Sequence, residues 1–206
     1  LQYLMNLKKK NFKVKTVDKK KLDLLNQQKV FNFFKKNKVD YVIIAAARAG
    51  GILANIRYPF NFIYENLQIQ NNLIYASINS RVKRTIFLGS SCIYNNKFRK
   101  PFSEKDLGNG SFEKTNEYYA IAKYAGIKLC ESYNKQFKKN LFLSVIPPNL
   151  FGIRDNFHAS DSHVLTALLR KFYIAKKFSK KKIEIWGSGN PKREFLHADD
   201  AAYIIV

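Results

Sequence analysis

The sequence predicts an α/β fold built on a doubly wound parallel sheet. Apolar runs of strand length alternate with longer stretches of helical periodicity along the chain. The runs Asp40–Ala47 and Leu141–Ile146 are almost continuously apolar, which is typical of parallel strands covered by helices on both faces. With 206 residues and 46% hydrophobic residues, the chain is long enough for one domain, or one and a fraction, with a sizeable core.

The first half of the chain is predicted to hold three strands and two helices after Leu1–Lys10, which resembles the tail of a helix. The first strand shows alternating polarity, the other two each contain an apolar run, and the helices carry one apolar face each. In order, these elements are a strand over Phe12–Val17, a helix over Leu22–Asn37, a strand over Asp40–Ala47, a helix over Pro59–Ser80 and a strand over Arg84–Ser91.

The second half opens with a polar loop over residues 95–116, and the same patterns then predict further helices and strands. Two aspartates, Asp199 and Asp200, are well suited to cap a last helix that begins at Ala201. The elements before that helix are a helix from Tyr119 to Phe137, a strand over Leu141–Ile146, a helix over Val164–Phe178, and short strands over Ile183–Gly187 and Phe195–His197.

The chemically suggestive residues named so far are predicted to lie at one edge of the sheet. Right-handed crossovers would bring the strand ends at Ala45–Ala47, Ser90–Cys92 and Pro147–Asn149 to one edge of the sheet. In parallel sheets of this kind, ligands bind in the crevice at the carboxyl ends of the strands. The sequence therefore predicts a ligand site at this edge.

Ser90, Tyr119 and Lys123 form a candidate proton-transfer group. Residues four apart share one face of a helix, so Lys123 can lie beside Tyr119. Its positive charge is expected to lower the pKa of the phenol from about 10 towards neutrality, and Ser90 could bind the same substrate oxygen. On the motif alone, an ordinary half-buried tyrosine next to a solvated lysine is equally compatible with the pattern.

The net charge of +22 would attract anions, but the basic residues stand in scattered runs such as Lys8–Lys10 and Lys180–Lys182. We therefore expect no specific nucleic-acid partner.

The two cysteines, Cys92 and Cys130, offer neither a disulfide framework nor metal-ligand spacing. Neither a signal peptide nor an apolar run of about twenty residues is found, which predicts a cytoplasmic protein without a membrane partner.

Taken together, the motifs resemble those of the extended short-chain dehydrogenase/reductase superfamily and, within it, the GDP-L-fucose synthases. The resemblance covers the chain from about Lys19 onward. The matching residues are Ala45-Ala46-Ala47-Arg48-Ala49-Gly50-Gly51, Ser90-Ser91-Cys92-Ile93-Tyr94, Tyr119-x-x-x-Lys123, Pro147-x-Asn149-x-Phe151-Gly152, Asp161-Ser162-His163 and Trp186-Gly187-x-Gly189-x-Pro191-x-Arg193-x-Phe195.

The resemblance implies a Rossmann-like fold and two reactions at one site on GDP-4-keto-6-deoxy-D-mannose. The first reaction epimerises C3 and C5 of the sugar, and the second reduces C4 with hydride from NADPH. It makes Cys92 and His163 the acid/base pair of the epimerisation and Ser90, Tyr119 and Lys123 the reductase triad. We expect the thiol and the imidazole to titrate near neutrality, as proton carriers should.

The resemblance also implies binding residues and a division of the chain. Residues 1–152 would form a truncated NADP-binding domain, and 153–206 part of the substrate-binding region, which could include a strand and a helix that return to the first domain. Lys171, Trp186 and Arg193 would contact the GDP-sugar. The residues expected to bind NADP(H) are Leu88, Gly89, Ser90, Ser91, Lys123, Pro147, Pro148, Asn149, Leu150 and His163.

One expected motif is absent. No Gly-x-x-Gly-x-x-Gly turn, which would place the cofactor pyrophosphate on a helix N-terminus, precedes Lys13. With no initiating Met and an abrupt end at Val206, the sequence is interpreted as a fragment lacking both ends. The fragment is expected to bind NADPH weakly and to be inactive alone, whereas the full-length protein would form a homodimer through its two long helices.

Two alternatives stay open. One is another nucleotide-sugar enzyme of the same superfamily, a 4,6-dehydratase or a 4-epimerase. The dehydratases carry Thr-Asp-Glu where Ser90-Ser91-Cys92 stands here, and a 4-epimerase would need neither Cys92 nor His163. The other is a basic module without enzymatic activity that binds RNA, suggested by the charge and the aromatic content.

Overall fold

The computed structural model describes residues 12–95, 101–153, 155–159 and 161–205. No helix in these ranges is long and apolar enough to span a membrane. The helices are α1 (Gln27–Lys36), α2 (Ile52–Arg57), α3 (Pro59–Ile78), α4 (Glu117–Gln136), α5 (Val164–Lys177) and α6 (Ala198–Ile205). The strands are β1 (Tyr41–Ile44), β2 (Arg84–Leu88), β3 (Phe142–Val145), β4 (Asn149–Phe151) and β5 (Phe195–His197).

The chain divides into two compact units. The larger one, here called the sheet unit, comprises residues 15–49 and 58–147. Its sheet has the order β1-β2-β3, and both strand pairs are parallel. Ile44 pairs with Phe87, and Leu88 pairs with Val145, so all three strands end at the same edge. The prediction that these three strands end at one edge of the sheet is therefore confirmed within the sheet unit, which extends to Pro147.

Helices α3 and α4 pack closely against each other in the sheet unit. Gly126 makes this approach possible, because a Cβ atom at this position would lie 2.4 Å from Phe87 Cζ and 2.7 Å from Gln70 Oε1. The same glutamine donates a hydrogen bond from Nε2 to the Ala122 carbonyl at 2.8 Å. The core below them is formed by Val30, Phe34, Ile44, Leu73, Ile74, Phe87, Ile93, Ile127, Cys130 and Phe142.

The second unit contains α2, α5, α6 and the parallel pair β4-β5. Its segment around Gly51 is fixed by backbone contacts, since Gly51 N donates to the Asp161 carbonyl at 3.0 Å. A Cβ atom at Gly51 would lie 2.6 Å from the Ser162 carbonyl oxygen, a backbone atom that cannot easily move aside. Only glycine fits at position 51, which gives the second glycine of the Gly50-Gly51 pair a physical role.

The predicted α/β class with a parallel sheet is confirmed, and so are both long helices, α3 and α4. The helix predicted over Leu22–Asn37 begins later, at Gln27, because Asn26 Oδ1 caps it by accepting from Lys29 N. Before this cap, the Asp23 side chain accepts from the Leu25 backbone and holds the chain in a turn. The helix tail predicted over Leu1–Lys10 lies outside the described residues.

Two predicted strands are wrong. Phe12–Val17 and Ile183–Gly187 are both irregular, and most of their side chains are exposed. A short run of alternating residues gains little from extension unless a neighbouring strand pairs with it, and neither segment belongs to a sheet of the described residues. The predicted burial of the first core strand on both faces is also wrong, because Tyr41 is 55% exposed at an edge strand.

Candidate active site

The end of β2 places Ser90 and Cys92 next to each other. Ser90 is extended, with φ −159° and ψ 145°, and caps a single 3₁₀ turn over Ser91–Ile93. Its hydroxyl oxygen accepts from the Cys92 backbone N–H at 3.4 Å, and the Cys92 thiol lies within hydrogen-bond distance of the same oxygen, at 3.1 Å. The turn that follows the strand therefore directs a thiol back onto a hydroxyl.

Helix α4 brings Tyr119 and Lys123 to the same place. The Tyr119 phenol is close enough to Ser90 for this serine to favour its ionised form. Lys123 is only 3% exposed, and its Nζ donates to the Leu88 carbonyl at 2.7 Å and lies 6.0 Å from the centre of the Tyr119 ring. The solvated lysine of the alternative interpretation is excluded. Ser90, Cys92, Tyr119 and Lys123 form one cluster, here called the Ser90 cluster.

Burial controls the protonation of this cluster. It raises the pKa of Tyr119, an effect larger than the opposing effect of Ser90. The predicted lowering of this pKa by Lys123 is therefore wrong in this structure. Burial also lowers the pKa of the Lys123 ammonium to about 8, because a charged group is poorly solvated there.

Cys92 also differs from the expectation. Burial raises the pKa of its thiol to about 11, although the Ser90 hydrogen bond and the Lys123 charge both favour the thiolate. The prediction that this thiol titrates near neutrality is therefore wrong in this structure. The thiol remains protonated at neutral pH. A proton can leave Cys92 only when a strong base or a further positive charge acts on it.

The residues expected to line a cofactor site fall into both units. Leu88, Gly89 and Ser91 surround the end of β2, and the Gly89 N–H donates to the Val145 carbonyl at 2.8 Å. A Cβ atom at Gly89 would lie 2.9 Å from Ile127 Cδ1, so the end of this isoleucine on α4 would have to shift if position 89 carried a side chain. Pro147 follows β3 in the sheet unit.

Pro148, Asn149 and Leu150 belong to the second unit. Asn149 begins β4, and both its backbone N–H and its side-chain Nδ2 donate to the Glu194 carbonyl. His163 also lies in the second unit, at the N-cap of α5 with an exposed side chain.

Lys171 and Trp186, two of the three residues expected to bind the substrate, contact each other. The Lys171 ammonium lies 4.6 Å from the centre of the Trp186 ring and donates to the Glu184 carbonyl at 2.9 Å. Arg193 donates to the carbonyl of its neighbour Lys192. Within the described ranges, no group of three or more His, Cys, Asp or Glu side chains is arranged to hold a metal ion.

The surroundings of Tyr119 were not predicted from the sequence. The buried Phe62 ring on α3 packs against it, with ring centres 6.3 Å apart and planes at 80°. Arg48 lies over the same Phe62 ring. Phe62 and Tyr119 are far apart in the sequence, so no local spacing signals this contact; only the packing of α3 on α4 creates it.

Comparison with known proteins gives consistent results. The family model described as the NAD dependent epimerase/dehydratase family matches residues 3–206. GDP-L-fucose synthase of Escherichia coli (strain K12) is 51% identical over 181 residues, which are 88% of this chain and 56% of the relative. The chain thus spans little more than half the length of that relative.

Two solved structures are similar over 99% of the chain. A GDP-L-fucose synthetase from Naegleria fowleri, bound to NADP, has a TM-score of 0.86 and 34% identity, with 67% of its own chain covered. A GDP-D-glycero-L-gluco-heptose synthase from Campylobacter jejuni, in the presence of NADPH, has a TM-score of 0.87 and 35% identity, with 68% covered. These matches confirm the predicted Rossmann-like fold, and the chain belongs to the NAD dependent epimerase/dehydratase family.

Proposed function

We propose that this protein converts GDP-4-keto-6-deoxy-D-mannose to GDP-L-fucose, by epimerisation at C3 and C5 followed by reduction at C4. The observation that carries the proposal is the Ser90 cluster, which joins a hydroxyl, a thiol, a phenol and an ammonium at the carboxyl edge of a parallel sheet. The 51% identity to the E. coli GDP-L-fucose synthase supports this choice of substrate.

In the proposed reduction, Tyr119 gives a proton to the C4 oxygen. Its raised pKa suits this role, because the phenol reaches the reaction still protonated. Ser90 would donate a hydrogen bond to the same oxygen and stabilise the negative charge that develops on it. Lys123 contributes a positive charge beside the phenol in the fraction of molecules where it is protonated.

The donor groups of the cluster fit a nicotinamide dinucleotide, which we propose is NADP(H). The Lys123 ammonium carries three protons, of which one goes to the Leu88 carbonyl, so it can also donate to ribose hydroxyls. When bound, NADPH would supply the hydride that C4 receives. The NADP in the N. fowleri structure supports this cofactor. The residues proposed to hold it are Leu88, Gly89, Ser90, Ser91, Lys123, Pro147, Pro148, Asn149, Leu150 and His163.

In the proposed epimerisation, Cys92 and His163 carry the protons that leave and return at C3 and C5. The neighbouring ketone makes these protons acidic, and Ser90 and Tyr119 would stabilise the enolate oxygen. Cys92 begins as a protonated thiol, so it has a proton ready to return to the sugar. Lys123 favours its thiolate, which supports a thiol that can exchange protons.

The GDP-sugar is proposed to bind through residues of the second unit. Lys171 and Arg193 offer positive charge to the diphosphate, and Trp186 offers a ring, 62% exposed, that can stack on a ligand. The contact between Lys171 and Trp186 supports a common role for the two. In this proposal, residues 1–152 form the NADP-binding part of the chain, and residues 153–206 belong to the substrate-binding part.

The test replaces Cys92 by Ser in the full-length protein, supplied with GDP-4-keto-6-deoxy-D-mannose. Exchange of the C3 and C5 protons with deuterated water, followed by NMR without NADPH, should fall at least about a hundredfold. NADPH oxidation with the unepimerised ketone should stay measurable. The control Cys130→Ser changes the other cysteine, which is buried in the core and not in the cluster. Equal loss of both activities in Cys92→Ser would contradict the division of roles.

A second candidate is a C4 reductase acting on another GDP-sugar, such as a 4-keto heptose. The 35% identity to the C. jejuni heptose synthase supports it. Ser90-Ser91-Cys92 stands where a dehydratase would carry Thr-Asp-Glu, which argues against dehydration. Measuring kcat/KM for GDP-4-keto-6-deoxy-D-mannose and for a GDP-4-keto heptose decides between the two candidates. A heptose reductase should have a kcat/KM about tenfold or more higher for the heptose substrate.

We also propose that the full-length protein is a cytoplasmic homodimer that pairs through α3 and α4. Free thiols at Cys92 and Cys130 suit a reducing compartment.

The proposed dimer interface includes an exposed aromatic pair on α3. Phe60 is 68% exposed and Tyr64 is 50% exposed, and their rings stack on each other, which leaves an apolar surface for a second copy. Sedimentation velocity should show a dimer that Phe60→Glu weakens, whereas the exposed Phe178→Glu should not affect it; an unaffected dimer in Phe60→Glu would contradict this interface.

A further inference from the structure

Phe62 is the aromatic neighbour of the Tyr119 ring. It is 2% exposed on α3, and its ring meets that of Tyr119 almost at right angles, with centres 6.3 Å apart. Near-perpendicular ring pairs are favourable, because the positive edge of one ring meets the negative face of the other. The contact restricts the tilt of the Tyr119 ring and hence the position of its hydroxyl.

Arg48 lies on the same Phe62 ring. Its guanidinium carbon is 5.5 Å from the centres of both the Phe62 and the Tyr58 rings, within the range of cation–π attraction. Arg48 Nη1 donates to Glu65 Oε1 at 2.8 Å, and the two side chains are 32% and 15% exposed. Because this ion pair is mostly shielded from water, it fixes the guanidinium more firmly than a surface pair would.

A buried amide ties the backbones of this arrangement together. Asn66, which is 2% exposed, accepts from the Arg48 backbone N–H at 2.8 Å and donates to the Arg48 carbonyl at 3.0 Å. The same Nδ2 also donates to the Phe62 carbonyl at 2.7 Å. One side chain therefore fixes the segment after β1 relative to the turn of α3 that carries Phe62.

We propose that Phe62, held in place by Arg48 and Glu65, is a positioning residue that sets the orientation of the Tyr119 phenol. The inference rests on the proposed function only for its kinetic consequence, since the packing exists without any substrate. Phe62 contacts both the Tyr119 ring and the Arg48 guanidinium that Glu65 holds, so a change at Arg48 or Glu65 can reach Tyr119 through this ring. Arg48 and Glu65 act through Phe62 and are not catalytic residues themselves.

The first test measures the orientation of the Tyr119 ring without any activity. The full-length protein carries 3-fluorotyrosine at position 119, and fluorine-19 NMR is recorded for the parent and for Phe62→Leu, Arg48→Met and Glu65→Gln. All three variants should shift or broaden the signal, because the ring gains freedom. Arg48→Lys, which keeps the charge, should restore most of the parent spectrum. The control Arg81→Met removes an exposed arginine and should leave the spectrum unchanged.

The second test measures the C4 reduction by the same variants. Arg48→Met and Glu65→Gln should lower kcat about tenfold while KM changes less than about twofold, because misplacing the phenol slows proton transfer without loosening substrate binding. Unchanged fluorine spectra in Arg48→Met and Glu65→Gln would overturn the proposal, and these two variants decide even if Phe62→Leu does not fold. If the parent enzyme fails to reduce the GDP-sugar, the proposed function fails while the fluorine result still decides the positioning.

Discussion

At the scale of single residues, burial acts in opposite directions on the members of the Ser90 cluster. It keeps the proton on the Cys92 thiol and on the Tyr119 phenol, and it favours loss of the proton from Lys123. All three shifts reduce the number of charges in a poorly solvated place. With a pKa of about 8, Lys123 still carries its proton at neutral pH, so it is the one charged member of the cluster there. Each shift has a measurable consequence.

The Cys92 thiol should react slowly with an alkylating reagent at neutral pH. With a pKa of about 11, its thiolate fraction rises about tenfold with each pH unit up to pH 10. The rate of alkylation by iodoacetamide, followed by mass spectrometry, should rise in the same way. Cys92→Ala serves as the control, because its residual rate reports on Cys130. A rate that levels off near pH 9, as for an exposed thiol, would contradict the raised pKa.

Lys123 should make the free energy of unfolding depend on pH. Its pKa is lowered from 10.5 to about 8 in the folded state, so the unfolded state binds more protons between these values. Stability should therefore rise with pH across this window, and the penalty for burying the charge is fully present below pH 8. Between about pH 8 and pH 9, the contribution amounts to roughly 1 kcal/mol.

Urea unfolding of the parent and of Lys123→Met measures this contribution. The difference in unfolding free energy should move by roughly 1 kcal/mol in favour of the parent between about pH 8 and pH 9. Taking the difference cancels the titration of the cysteines and tyrosines, which both proteins share. Lys135→Met, an exposed lysine on the same helix, should give a difference that stays constant. A constant difference for Lys123→Met would mean that its ammonium is not destabilised by burial.

At the scale of elements, Gly126 controls how closely α3 and α4 pack. Gly126→Ala should lower the free energy of unfolding by about 1–3 kcal/mol, because the new methyl group would collide with the buried Phe87 ring at 2.4 Å. Thermal and urea unfolding measure the loss. Ser132→Ala, on the exposed side of α4, should change stability by less than about 0.5 kcal/mol. A stabilised Gly126→Ala would show that the helices can separate at no cost.

The elements differ in how far the sequence could predict them. The long helices α3 and α4 were predictable, because many turns of periodic apolar residues outweigh any local ambiguity. Ile183–Gly187 has the composition of a strand, yet a strand also needs a partner, and no sequence pattern specifies one. For the same reason β4, which pairs with the distant β5, was not predicted as a strand.

The grouping of Ser90, Tyr119 and Lys123 was predictable from the sequence, but the electrostatics of these residues was not. The position of Ser90 after an apolar run and the helical spacing of Tyr119 and Lys123 were enough to group these three residues, and the structure brings them together. Their pKa values depend on how deeply the surrounding helices bury them, which is a property of tertiary packing. The contact of Phe62 with Tyr119 depends on the same packing and carries no signal in the sequence.

At the scale of the whole molecule, the net charge of +22 is the dominant long-range feature. The charge is not concentrated on one element, since lysine runs such as Lys19–Lys21 and Lys180–Lys182 lie in different parts of the chain. A diffuse positive field attracts any polyanion by counterion release, but it cannot distinguish one base sequence from another. It would also raise the local concentration of an anionic nucleotide-sugar near the protein.

We therefore expect the protein to bind nucleic acid without specificity and in a strongly salt-dependent manner. Fluorescence anisotropy with two short single-stranded RNAs of unrelated sequence should give equal affinities. Both affinities should fall by about tenfold or more between about 50 mM and 200 mM salt. Each neutralised phosphate releases a counterion, and this release is less favourable when the salt concentration is higher. Changing Lys180, Lys181 and Lys182 together to Gln should reduce the salt dependence only slightly, since the charge is spread over the whole chain. Binding that resists salt and prefers one RNA would instead require a dedicated recognition surface, and would favour the basic nucleic-acid module over the enzyme.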